Sequence, residues 1–219
     1  MTIEETGDEY DSFMVQSAKE RDEGRQFLED FYEHNEALLQ TGIYDVAQAQ
    51  QELDANDTPY ARRAFVRVLF STIEAILFTK QRVILGLVNR DWDRVRSSSK
   101  EKMFNPGSAR FTLGDLVALS EVDYSIDVTG KVKQRPIYAP FLGRVRLILD
   151  SERRFWGNPN SIDYSGVGWL RFQEAQQVRN RLMHPKSASD LEVSDKDLAA
   201  VRAGRDWFVN AAYHGPSSS

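Results

Sequence analysis

The run from Ala61 to about Val88 constrains this chain more than any other feature. After its first two turns it is apolar on most of a helical circumference, through Phe65, Val66, Val68, Leu69, Phe70, Ile73, Ile76, Leu77, Phe78, Val83, Ile84 and Leu85. A helix that is apolar nearly all round has to be wrapped by other elements. The run therefore predicts a central helix of about seven turns. Thr58 is a good N-cap for it, and Pro59 suits the first helical position.

The wrapping elements are also mostly helical. Phe27, Leu28, Phe31, Tyr32, Leu38 and Leu39 form a 3.6-residue stripe within a helical stretch from Ser12 to about Gln40, and a shorter helix is expected from Ile43 to Leu53. Residues 89–110 are polar and basic and read as a surface loop, or as a short helix plus a loop. Thr112 with Asp115 has capping-box spacing ahead of a short helix through Ser120. Tyr124, Ile126 and Val128 then alternate with polar residues, Thr129-Gly130 offers a turn, and Val132 resumes the alternation, which predicts a β-hairpin over about 123–135. Ala139 to Trp156 is helical again and Gly157 ends it; Trp169 to Met183 follows; Ser194 with Asp197 caps a last helix to about Tyr213. The expectation is a mainly α, up-and-down helical bundle over 58–213. It carries extra N-terminal helices in an acidic segment 1–57, a small inserted β-hairpin, and a flexible tail at 214–219.

Composition excludes several functions. The 219 residues contain no cysteine, so a disulfide scaffold, a thiol nucleophile and cysteine-ligated metals are excluded. Apolar stretches are broken by charge well short of about 18 residues, which argues against a membrane span. The acidic start MTIEETGDEYD lacks the features of a secretory signal, so a cytoplasmic protein is expected. The net charge of −5 hides an asymmetry. Residues 1–60 carry 16 acidic and 3 basic side chains, whereas residues 61–219 carry 17 and 25. Such a split marks either a solvated acidic helix face or a chain that meets nucleic acid through its basic part.

Nucleotide-loop, nucleophile-elbow and zinc-helix signatures are absent. Three histidines exist, His34, His184 and His214, too dispersed in sequence to read as a metal centre, and no cofactor is expected. His184 stands out for its neighbours, Val178-Arg179-Asn180-Arg181-Leu182-Met183-His184-Pro185. On a helix, Phe172, Ala175, Arg179 and Leu182 share one stripe, which places Arg179 at a core-facing position where a guanidinium needs a partner or a wet cleft. Pro185 disfavours the α conformation at His184, so the helix should end near Met183. His184 then sits at the negative end of the helix dipole, which favours imidazolium. These residue types suit cleavage of an RNA phosphodiester. A histidine can take the 2′-hydroxyl proton, an arginine can offset charge on the phosphate, and an amide can hold either group. That chemistry requires no metal.

Arg-Asn, three residues, then His-Pro, at the end of an amphipathic helix in a cysteine-free α-helical chain with one more helix to follow, resembles the HEPN superfamily. The resemblance covers about residues 58–213, and its specific part is the short motif. It implies a metal-independent endoribonuclease acting as a homodimer, with two motifs facing across the interface. It further implies a role as a toxin or phage-defence component, with a nucleotidyltransferase antitoxin or other neutralising protein as a possible partner. Arg179 and His184 would be the catalytic pair and Asn180 their support. Other HEPN proteins have lost activity, so a non-catalytic binding module for a protein, nucleotide or RNA partner stands as the alternative.

Two further features bear on this reading. Glu74 is the only acid between Pro59 and Val88, and a carboxylate in such a helix needs a cation or a donor. Arg179 is one candidate partner; Arg67, Arg82 or solvent are the others. The stretch from Arg62 to Arg110 carries 11 basic and 4 acidic side chains. Arg62, Arg63, Arg67, Arg90, Arg94, Arg96, Lys100 and Lys102, with Trp92 and Phe104 interleaved and Arg181 on the later helix, form a candidate surface for single-stranded RNA. Tyr124 and Tyr138 read as packing residues.

Overall fold

A computed structural model describes residues 26, 29, 30, 33, 35–97, 110–136, 139–158 and 161–214; for residues 90–97, 123, 124 and 214 it describes the backbone only. The chain divides into two compact units at Gln40–Thr41. In the first unit residues 35–40 are helical and Leu38 is exposed. The rest of the stripe read there (Phe27, Leu28, Phe31 and Tyr32) and His34 lie outside the described residues.

The second unit is built around the expected central helix. Residues 41–55 form α1, and α2 runs over Pro59–Ser97. Ala61 donates its N–H to the Thr58 hydroxyl at 3.1 Å, the cap that the sequence predicts. Along α2 Phe65, Val66, Leu69, Phe70, Ile73, Ile76, Leu77, Val83, Ile84, Leu87 and Val88 are buried. The helix touches α3, α4, α5 and α6, which cover most of its apolar surface, while Phe78 stays exposed. It ends nine residues later than expected. Of the two readings for 89–110, a loop or a short helix plus a loop, residues 89–97 are helical and continue α2, because Asn89 to Ser97 contains no glycine or proline to stop a helix already under way.

Residues 41–57 belong with the bundle. Leu53 is buried, the Thr72 hydroxyl donates to the carbonyls of Gly42 and Val68, and Arg202 pairs with Asp54 at 2.7 Å. The boundary read at residue 57 thus falls at residue 40. What breaks at Asp54–Thr58 is the helix, not the packing.

The shorter elements follow local chemistry. Thr112 and Asp115 close a capping box on α3, Leu113–Ser120. β1, Val122–Ile126, pairs antiparallel with β2, Val132–Pro136, with Ile126 opposite Val132. Gly130 adopts the left-handed φ of 79° in the connecting turn and donates to the Asp127 carbonyl at 2.9 Å. The alternation that identifies the strands does not mark a buried face: Ile126, Val128 and Val132 are all exposed. α4, Phe141–Trp156, starts behind Pro140 and ends at Gly157, which is left-handed with φ 72°. The Arg110 guanidinium donates to the last α4 carbonyls, Arg154 at 2.9 Å and Phe155 at 3.0 Å.

α5, Val167–Met183, and α6, Asp195–Val209, make the most extensive helix pair. Gly204 permits it: a Cβ there would lie 3.0 Å from the Phe172 Cα. Ser194 and Asp197 form the capping box of α6 as the sequence predicts, and a π-helical turn, Asn210–His214, extends the helix. Between α5 and α6 lies a 3-10 turn, Ala188–Leu191. The result is a mainly α-helical bundle with a small antiparallel hairpin. Among the described residues no helix is long and apolar enough to cross a membrane.

Candidate functional site

The candidate motif occupies the C-terminal turn of α5, and the helix ends where Pro185 predicts. His184 leaves helical geometry with φ −131° and ψ 57°, while its N–H still donates to the Asn180 carbonyl at 3.0 Å. The stripe through Phe172, Ala175 and Leu182 is buried, and Val178 is buried beside it. Arg179, on that stripe, keeps 22% of its side chain exposed, which places it at the rim of the core.

Three groups fix the Arg179 guanidinium. One nitrogen donates to Glu74 Oε1 at 2.5 Å, and the other donates to the Asn180 side-chain oxygen at 3.2 Å. The Phe141 ring, from the first turn of α4, lies 5.9 Å from the guanidinium carbon. Glu74 thus takes the arginine partner considered from sequence. Its own side chain is 39% exposed, so this pair borders solvent. Phe141 is the site residue that sequence reading missed: its place beside Arg179 and Phe172 depends on how the fold brings the start of α4 to α5.

The position of Glu74 reflects a periodicity in α2. Arg67, Glu74 and Gln81 recur every seven residues, two helical turns, and so share a face. Arg67 donates to the Leu182 carbonyl at 3.3 Å, Glu74 accepts from Arg179, and Gln81 accepts from Arg144 at 2.8 Å and donates to the Leu119 carbonyl. One stripe of α2 therefore ties down the end of α5, the start of α4 and the end of α3.

His184 is exposed, and its imidazole has no hydrogen-bond partner among the described residues. The backbone beyond it is firmly held. Asp190 accepts from the N–H groups of Lys186 at 2.8 Å and Ser187 at 2.9 Å, closing a capping box with Ser187. Ser187 and Asp190 have the same spacing as the two boxes found from sequence, so this turn was legible too.

The basic residues proposed to hold RNA divide by partner. Arg62 pairs with Asp57 and with Asp195 at 2.6 Å, and donates to the Val193 carbonyl. Arg181 pairs with Asp197 at 3.0 Å and donates to the Glu192 carbonyl. These two hold the 192–197 segment in place. Among the described residues Arg63 and Arg67 instead touch only carbonyls, those of Leu191 at 3.4 Å and Leu182 at 3.3 Å. The side chains of Arg90, Arg94 and Arg96, and residues Lys100, Lys102, Phe104 and Tyr138, lie outside the described residues, as do the side chains of Trp92, Tyr124 and His214.

Burial pushes the Asp197 carboxyl up, but hydrogen bonds from Ser194 and Arg181 outweigh it and hold the group below the usual carboxylate range. Asp115 behaves likewise: burial is opposed by the Thr112 backbone and side chain and by Arg154, and the net shift is downward.

The described residues also form a shallow groove of about 520 Å³ lined by Ile43, Val46, Ala47, Gln50, Gln51, Asp54 and Arg205; no motif residue lines it. Chemically, the end of α5 offers an oriented guanidinium, a neighbouring amide and an exposed imidazole. No family model, curated protein or solved structure matches this chain.

Proposed function

We propose that this protein is a HEPN-like, metal-independent endoribonuclease. The observation that carries the proposal is the arrangement at the end of α5. Arg179 is fixed by Glu74 and Asn180, while the exposed imidazole of His184, one residue past the helix, meets no hydrogen-bond partner among the described residues.

In the proposed reaction His184 accepts the proton of an RNA 2′-hydroxyl as that oxygen attacks the adjacent phosphorus. Arg179 offsets charge on the non-bridging phosphate oxygens. The bond from phosphorus to the 5′-oxygen breaks, and that oxygen takes up a proton. The products are a 2′,3′-cyclic phosphate and a 5′-hydroxyl. Held by Glu74, the guanidinium needs no reorganisation as this charge develops. A site on the outside of one bundle excludes little water. A second copy bringing its own motif across a two-fold axis would enclose the phosphate, so the active form is proposed to be a homodimer. A role as a toxin or phage-defence component, with a nucleotidyltransferase antitoxin as its neutralising partner, completes the proposal; its support is the resemblance carried by Arg179, Asn180 and His184.

The test follows from the nucleophile. Purified protein incubated with single-stranded RNA and excess chelator should leave 2′,3′-cyclic phosphate ends, and one 2′-deoxynucleotide placed 5′ of a cleaved bond should block cleavage there. Cleavage that persists at the 2′-deoxy position, or that stops with chelator, contradicts the mechanism.

A further inference from the structure

Arg62, Arg63, Arg67 and Arg181 all reach the segment 182–197, but with different partners. Arg62 and Arg181 are neutralised by Asp57, Asp195 and Asp197. Among the described residues neither Arg63 nor Arg67 meets a carboxylate. Each is tethered through a single nitrogen to a carbonyl, Leu191 for Arg63 and Leu182 for Arg67. They stand four residues apart on α2, where Cβ atoms are about 5–6 Å from each other and like charges repel. The tethers leave most of each guanidinium's five N–H groups uncommitted. Arg67 is exposed and Arg63 half-buried.

Two adjacent, pre-positioned and uncompensated guanidiniums form a site for an anion able to bridge them. The Leu182 carbonyl that anchors Arg67 lies two residues before His184 in the chain. We infer that Arg63 and Arg67 anchor the phosphate backbone of single-stranded RNA beside the reacting bond. This inference rests on the ribonuclease reading for its ligand. Planar guanidiniums suit phosphate oxygens, and a repeating phosphodiester supplies an anion for each arginine. Arg62 and Arg181, by contrast, are fasteners of the 192–197 segment and contribute little to RNA affinity.

The inference can be tested by binding, independently of cleavage. The probe is a fluorescent single-stranded 2′-O-methyl RNA, which keeps the phosphates but lacks the nucleophile. Its affinity for the full chain is measured across a salt series. Replacing both residues, Arg63→Gln with Arg67→Gln, keeps an N–H donor for each carbonyl and removes both charges. The double variant should bind roughly tenfold more weakly, and its slope of log affinity on log salt should flatten by about 1.4. Arg63→Lys with Arg67→Lys keeps the charges and should hold the wild-type slope, which separates charge from folding; a flattened slope in this Lys pair contradicts the inference. An unchanged slope in the Gln pair overturns it, as does failure of the wild-type protein to bind the probe. Binding that weakens as expected in a protein that cleaves no RNA supports the anchor and removes the catalytic reading alone.

Discussion

The two ends of α5 show how one helix can serve stability and chemistry separately. In its N-terminal half Trp169 and Phe172 are fully buried in an aromatic cluster. Their ring centroids lie 5.7 Å apart, Trp207 packs at 4.9 and 5.1 Å from them, and Phe208 stacks on Phe172 at 5.8 Å. Its C-terminal turn presents Arg179, Asn180, Arg181 and then His184. There, hydrogen bonds and ion pairs to α2 and α6 are added to the packing of Val178 and Leu182. The aromatic end is non-directional and fills volume, whereas the polar end fixes direction. A guanidinium aimed at a phosphate needs direction, and only a helix immobilised at its other end can supply it.

The largest effect that would break this contrast lies at the aromatic end. Phe172→Ala removes a ring that touches Phe70, Phe141, Trp169, Trp207 and Phe208. It should cost about 3–5 kcal/mol in denaturant unfolding. A loss below about 1 kcal/mol would mean that the cluster does not carry the bundle.

A smaller effect is expected at the polar end, at Asp197. This carboxylate caps α6 and holds Arg181. Because its pKa is lowered in the folded state, the charge contributes stability above the ordinary carboxylate pKa, and that contribution is lost as pH falls through the lowered value. Asp197→Asn should cost about 1 kcal/mol at neutral pH and almost nothing at strongly acid pH. Equal losses at both pH values would show that the charge is irrelevant.

The two ends were not equally legible in the sequence. Signals contained within a few residues read correctly. Thr58-Pro59 starts α2, Thr112/Asp115 and Ser194/Asp197 close capping boxes, Gly157 and Pro185 stop helices, and Thr129-Gly130 turns the hairpin. Buried Phe65, Phe70 and Phe172 followed from periodicity, whereas the place of Trp207 and Phe208 against Phe172 did not. The pairing of Glu74 with Arg179 spans 105 residues, yet it could be considered because a charge in an apolar helix has to be compensated. Other features depended on relations that no local pattern encodes. The exposure of Ile126 and Val132 depends on what packs over the hairpin, and among the described residues both stay open. Among the arginines, Arg62 and Arg181 differ from Arg63 and Arg67 only in where the fold brings Asp57, Asp195 and Asp197.

The smallest stability effect and the largest functional one should fall on the same residue. His184→Ala removes an exposed imidazole that meets no hydrogen-bond partner among the described residues, so its cost in stability should stay within about 0.5 kcal/mol. RNA cleavage in excess chelator should fall by about 10²–10⁴-fold. Melting temperature and cleavage rate should therefore be measured together on this one variant. An unchanged melting temperature with cleavage nearly abolished is expected; a His184→Ala protein that cleaves RNA as fast as the wild type would rule out His184 as the catalytic group.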